Sequence, residues 1–149
     1  MTRDLDDLDA AILAALTRHA RASYSEIAAG VGLSAPAVKR RVDRLVADGV
    51  IRGFTTVLDP AVAGWTTEAY VEVFCSGTVA PSVLARTFEG IPGVVSAATV
   101  TGRADAIVRV MARDVHHLET ALERIRQAGP VDRSESIIVL SQLIDRGHP

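Results

Sequence analysis

Apolar residues recur every three or four positions through the first third of the chain and alternate with polar ones through much of the rest, so helices precede a mixed α/β half. Leu5, Leu8, Ile12, Leu13 and Leu16 form one helical stripe, with Asp4 or Asp6 placed to cap it. Ser23-Tyr24-Ser25-Glu26 fits a capping box, and a short helix continues through Ile27, Ala28 and Ala29. Gly30-Val31-Gly32-Leu33 then makes a tight turn. Ser34 caps a longer helix with Pro36 in its first turn, where a missing N–H does little harm, and Gly49 suits its left-handed end. At about 100° per residue, Val42, Leu45 and Val46 lie within roughly 80° of Val38. Pro36, Lys39, Arg40, Asp43 and Arg44 occupy the other side. One face docks and the other presents cations, over a length of about 20 Å that suits a DNA major groove.

Short helix, glycine turn and longer cationic helix make a helix-turn-helix pattern, with an αα-hairpin bearing a solvated basic face as the plainer reading. The first helix closes a three-helix core. Val50 to Leu58, rich in β-branched residues and broken at Gly53, predicts a short β element, a wing, ended by Asp59-Pro60.

The second half alternates. Glu68–Cys75 predicts a strand, Pro81–Phe88 a short helix, and Val94–Thr101 and Ala106–Met111 two further strands. Asp114 caps a helix carrying Val115, Leu118, Leu122 and Ile125. A last strand within Val131–Leu143 is centred on Ile137-Ile138-Val139-Leu140. The order is βαββαβ, a ferredoxin-like arrangement with an antiparallel sheet and both helices on one side. Both alternating sets of the first strand are apolar enough to need cover, Tyr70 and Phe74 on one face, Ala69, Val71, Val73 and Cys75 on the other. The expectation is α+β: a winged helix-turn-helix over residues 1–60 and a ferredoxin-like domain over 61–149, dimerising mainly through the second.

Charge sharpens this picture. The chain of 149 residues has net charge −2, but residues 34–52 hold five cations against Asp43 and Asp48. A local basic patch on a near-neutral body fits specific, dimer-assisted binding to double-stranded DNA, and argues against a general nucleic-acid coat. The single cysteine, Cys75, excludes an internal disulfide and a cysteine-based zinc site. It lies in an apolar strand with no nearby cation, which fits an inert thiol. His116 and His117 are adjacent and about 100° apart on a helix, so they do not form a chelating i, i+4 pair. The acidic start lacks an apolar h-region and no apolar run approaches ~20 residues, so the expected setting is cytoplasmic with no membrane contact. No phosphate loop, nucleophile elbow or triad is present. An enzyme on the ferredoxin-like half would depend on Asp105 and Arg103 alone, and the expectation is no enzyme, no metal and no cofactor.

Over essentially its whole length the sequence resembles the Lrp/AsnC (feast/famine) regulators. The resemblance rests on Leu5-Asp6 with Asp9 and Ile12-Leu13, on Arg21-Ala22-Ser23 and Glu26-Ile27-Ala28, and on Val31-Gly32-Leu33-Ser34, Val38, Arg41-Val42, Leu45 and Gly49-Val50-Ile51. It continues through Leu58-Asp59-Pro60, Gly64, Gly93-Val94, Thr101-Gly102 with Asp105, and Ile137–Leu140. The resemblance implies a winged helix-turn-helix joined to a RAM or ACT-like βαββαβ domain, with dimers that assemble further, commonly into octamers. It also implies a palindromic operator and an effector that is an amino acid or related metabolite.

By position, Ala35, Pro36, Ala37, Lys39 and Arg40 become the base-reading candidates, since arginine bonds guanine bidentately and alanine or proline touches a thymine methyl. Ser34, Arg41 and Arg44 would hold phosphates, with an acidic side chain as the competing partner for Arg41. Arg52 on the wing is divided the same way. The implied effector site is the loop Thr101-Gly102-Arg103-Ala104-Asp105, with Ser134 and Ser136 able to meet an ammonium group. The plainer reading is a tight hairpin whose aspartate caps its own turn. Ala104 stands where many members have a larger or aromatic residue, which would make the pocket roomier. A ligand-independent architectural DNA-binding protein and a winged helix serving protein contacts are the other readings.

Overall fold

The computed structural model describes residues 5–144, so Asp4, one of the two expected caps, lies outside the described residues. Two compact units follow one another, the first running to Thr56 and the second starting at Val57. The first contains α1 (Asp7–Arg18), α2 (Tyr24–Val31) and α3 (Ala35–Ala47). Each start is capped as its sequence predicts. Asp6 accepts from the Asp9 N–H at 2.7 Å, Ser23 and Glu26 form the reciprocal capping box, and Ser34 accepts from the Ala37 N–H. α2 and α3 end on glycine: Gly32 at φ 71° and Gly49 at φ 66° take the left-handed conformation that a side chain would strain. At the end of α3 the Val50 N–H reaches Leu45 O and the Gly49 N–H reaches Val46 O, the paired bonds of a Schellman stop. Ile12, Ile27, Ala28, Val38 and Val42 form the buried centre, with Leu45 buried beside them.

Three expectations for this unit fail, the smallest being Leu5, which precedes α1 and is exposed because the Asp6 cap starts the helix after it. Val46 is 44% exposed, because it lies about 80° round the helix from Val38 in the last turn. More important, residues 52–59 carry no strand, so the expected wing is absent among the described residues. A lone β segment has no ladder to satisfy its backbone. Phe54 and Val57 are left exposed.

The second unit contains β1 (Thr67–Cys75), α4 (Pro81–Glu89), β2 (Val94–Thr99), β3 (Ala106–Ala112), α5 (Val115–Arg126) and β4 (Val131–Ile138). The sheet is antiparallel with order β2-β3-β1-β4, the ferredoxin-like arrangement. Ala69, Val71, Val73, Val108 and Val110 face α4 and α5, whose Leu84, Phe88, Leu118, Ala121 and Ile125 join them in one core. Val115, expected on that helix face, is instead exposed, and Ala121 takes the inward position. On the open face Tyr70 and Ile137 stay partly exposed, Arg109 pairs with Glu68 at 2.7 Å, and the Arg133 guanidinium lies 3.9 Å over Phe74. β4 is displaced toward its polar end. Its ladder spans Val131 to Ile138 opposite Cys75 back to Ala69 of β1, one further bond runs from the Val139 N–H to Glu68 O, and Leu140 hangs beyond at 94% exposure.

Candidate functional site

The first candidate site is α3 and the turn before it. Ser34, Pro36, Lys39, Arg40 and Arg44 are exposed, and Ala35, Ala37 and Arg41 half-buried. The cations divide by what they face. Asp9, in the apolar stripe of α1 one turn before Ile12, is only 2% exposed. Its carboxylate receives Arg41 Nη1 at 2.8 Å on one oxygen and Arg44 Nη2 at 2.5 Å on the other, while Arg41 also reaches Asp6 at 2.6 Å. A buried carboxylate requires such partners, since removing an ion from water is costly unless it is paired and hydrogen-bonded. The Arg41 hydrogen bond, with the Asp9 N–H, holds the Asp6 carboxyl below its ordinary value, and the two aspartates raise Arg41. Arg41 therefore has the acidic partners that the sequence offered as the alternative to a phosphate. Arg44 is shared, its guanidinium half exposed while one nitrogen holds Asp9.

On the outer side Lys39 pairs with Asp43 at 2.6 Å, an exposed i, i+4 pair of small worth. Arg40 and Arg52 have no acidic partner among the described residues. Arg40 stands on the capped helix beside Pro36, whereas Arg52 stands on a segment with no regular structure. Asp9 is the residue that sequence reasoning did not assign to the site. Its signal was an acid within an apolar helical stripe, opposite arginines three apart on another helix.

The second candidate is the β2–β3 loop. Thr101, Gly102, Arg103 and Asp105 are exposed and Ala104 is buried. The Val100 N–H bonds Asp105 O, the Asp105 N–H bonds Val73 O at 2.9 Å, and Asp105 Oδ2 accepts from the Cys75 N–H at 2.7 Å. The aspartate thus clamps the end of β1 and keeps its second oxygen available. Ser134 pairs with Val73 and Ser136 with Val71, so both sit on β4. β1 lies between β4 and β3, putting two strand spacings, about 10 Å, between the serines and the loop's strand. One chain therefore does not bring the two sets together. Burial, then the Asp105 carboxylate, push the Cys75 thiol upward, as suits an unreactive thiol. His117 is a capping partner, its N–H and Nδ1 both on Asp114 Oδ1 at 2.9 and 2.8 Å, and His116 is exposed. No helix among the described residues is long and apolar enough to cross a membrane.

Residues 5–46 match the AsnC-type helix-turn-helix domain, and residues 68–149 match the Lrp/AsnC ligand binding domain. The HTH-type transcriptional regulator Rv2324 of Mycobacterium tuberculosis is 61% identical over 145 residues, spanning 97% of this chain and 98% of its own length. The structure of Escherichia coli AsnC superposes with a TM-score of 0.87 at 29% identity, covering 97% of this chain and 98% of that one. The M. tuberculosis feast or famine regulatory protein Rv3291c, solved with L-methionine, gives a TM-score of 0.87 at 33% identity over 97% of this chain and 99% of its own. A capped, cation-bearing helix after a glycine turn, a four-stranded sheet under two helices, and both family matches in sequence place the chain in the Lrp/AsnC family of DNA-binding transcriptional regulators, with a ligand-binding domain after its helix-turn-helix.

Proposed function

We propose that this regulator reads a palindromic operator as a homodimer and that its DNA binding or assembly responds to an amino acid. The division of cations on α3 carries the reading. Arg41 and Arg44 fix the helix to α1 through Asp9, while Pro36, Lys39 and Arg40 stand free of that network on its outer side. Arg40, with Lys39 once freed from Asp43, reaches guanine O6 and N7, and Ala35, Pro36 and Ala37 meet thymine methyls. Ser34, the exposed part of Arg44, and Arg52 serve phosphates. The apolar positions on the open sheet face, Tyr70 and Ile137 among them, form the dimer contact and set the two helices one DNA turn, about 34 Å, or a multiple apart.

The effector half rests on the ligand-binding family match and on the L-methionine complex of the Rv3291c relative. Backbone N–H groups near Gly102 would take the carboxylate and the second Asp105 oxygen the ammonium. Because β1 separates Ser134 and Ser136 from the loop, a neighbouring copy supplies them, which ties occupancy to assembly of dimers into a higher oligomer, an octamer in the fullest form. Two observations favour a second reading, a ligand-independent architectural DNA-binding protein: one Asp105 oxygen is already held by the Cys75 N–H, and Ala104 is buried.

The test is a gel shift on the protein's own promoter region, titrated with salt and with single amino acids, L-methionine first. A selective, saturable shift that one amino acid alters is the expected result. A selective shift indifferent to every amino acid would replace this reading with the architectural one. Absence of any selective shift at low salt would overturn the operator-reading part.

A further inference from the structure

A second cavity lies at the end of the sheet unit away from the β2–β3 loop. That loop follows the Thr99–Ala106 pair, whereas the cavity opens beside Gly93 and Met111, where β2 begins and β3 ends. The six residues of β2 separate the two places by about 20 Å. The cavity has a volume of about 330 Å³, within the range of small-molecule sites. Its floor depends on Gly93. A Cβ there would lie 2.8 Å from Met111 O, and the Met111 N–H donates to Gly93 O at 2.8 Å, so only glycine lets the strands close this tightly at φ 89°.

The walls are chemically divided. Half-buried Trp65 and Met111, with Pro92, give an apolar surface. α5 turns His117, Thr120 and Arg124 to the same side at i, i+3 and i+7, and Arg113 follows directly on β3. Neither Arg113 nor Arg124 has an acidic partner among the described residues. His117 Nδ1 is held by Asp114, which leaves Nε2 unengaged by any described residue. Among the described residues no aspartate or glutamate lines the cavity. Two unpaired guanidiniums beside an indole select a planar anion with an apolar body. The missing acid selects further, since the ammonium of an amino acid would lose water there without gaining a partner.

We propose that this cavity is a second ligand site, separate from the effector loop, for an apolar carboxylic acid that lacks an amino group. The carboxylate lies between Arg113 and Arg124, and the apolar body lies against Trp65 and Met111. Trp65 is the chain's single tryptophan, so its emission reports on this place directly.

The experiment titrates the full-length protein with 3-phenylpropionate, with phenylalanine, which differs only by its α-amino group, and with uncharged 3-phenylpropionamide. Emission is followed alongside calorimetry. The expected result is saturable binding of 3-phenylpropionate, with phenylalanine and the amide at least tenfold weaker. Arg113→Met and Arg124→Met raise the apparent Kd at least tenfold at unchanged Tm, because both arginines are exposed, and Arg103→Ala leaves it unchanged. Heat and emission both silent, equal affinity for the three compounds, or indifference to the two arginine variants would overturn the proposal. Heat that phenylalanine gives at the β2–β3 loop is told apart by Trp65, which lines this cavity, so the affinities compared are those read from its emission.

Discussion

Two aspartates hold the two candidate sites, and they do so by opposite means. Asp9 is buried in the small helical unit and is satisfied by side chains, the guanidiniums of Arg41 and Arg44. Asp105 is exposed at the edge of the sheet unit and is satisfied by backbone, the Cys75 N–H. The difference follows from the cores around them. Five residues form the buried cluster of the first unit and thirteen that of the second, so an ionic clamp orients the recognition helix while apolar packing already fixes the strand ends. The cations of α3 thus divide by whether they face α1: Arg41 and Arg44 bond Asp9, while Lys39 and Arg40 do not, and on the proposed reading the latter two are the ones left to read bases.

The largest expected effect breaks the ionic clamp. Asp9→Ala removes the clamp between α3 and α1: Arg41 keeps only its bond to Asp6, Arg44 turns to solvent, and the two hydrogen bonds to the charged carboxylate that are lost are worth about 1.5–3 kcal/mol each. A unit of this size has little stability beyond that. Calorimetry should show the helical unit melting early or already unfolded, with DNA binding lost. Phe88→Ala, cutting a core aromatic by about 3–5 kcal/mol, should lower only the transition of the sheet unit. If Asp9→Ala melts like the unaltered protein, the holding role is wrong.

The next effect separates holding from reading on α3. Arg40→Ala should weaken specific DNA binding by about 1–3 kcal/mol, relax base preference at one position and leave Tm unchanged. Arg41→Ala should lower Tm first and lose DNA affinity as a consequence. Gel shifts on operator variants together with melting curves check the pair. Equal Tm losses in the two variants would erase the distinction.

In the sheet unit the corresponding change is smaller. Asp105→Asn keeps a side-chain oxygen for the Cys75 N–H but loses the charge, so its stability cost should stay below about 1 kcal/mol. Any amino-acid response of DNA binding should fall at least tenfold. A retained response would move the effector site off this loop.

How far the sequence foretold this divides along the same line. Local chemistry was legible. The caps Asp6, Ser23, Ser34 and Asp114, the Gly49 stop and the βαββαβ order all follow from residues within one turn or one strand. What needed a distant partner was not. The destination of Arg41 depends on an aspartate 32 positions earlier, and the register of β4 on where β1 ends. The wing fails because a β-prone stretch becomes a strand only beside another, and nothing in Val50–Leu58 says whether one is present. Asp105 was legible as a turn aspartate, but its actual partner lies 30 residues back on β1.

The mildest test sharpens the comparison through acid. Asp6 is held below its ordinary pKa by the Arg41 hydrogen bond and Glu26 by the Ser23 N–H, both in the helical unit, whereas Asp114, lowered by the His117 N–H, is the one such carboxylate in the sheet unit among the described residues. A carboxyl whose folded pKa lies below its unfolded value gives stability that is complete above the unfolded pKa and lost as pH falls through the folded one. Both units should therefore weaken as pH drops from about 5 toward 2, with the helical unit falling faster because it carries two of the three groups. Melting curves across that range should show the two transitions separating. Asp6→Asn should flatten the slope of the first transition and leave the second untouched, and parallel slopes would mean that the exposed carboxylates contribute equally little in both units.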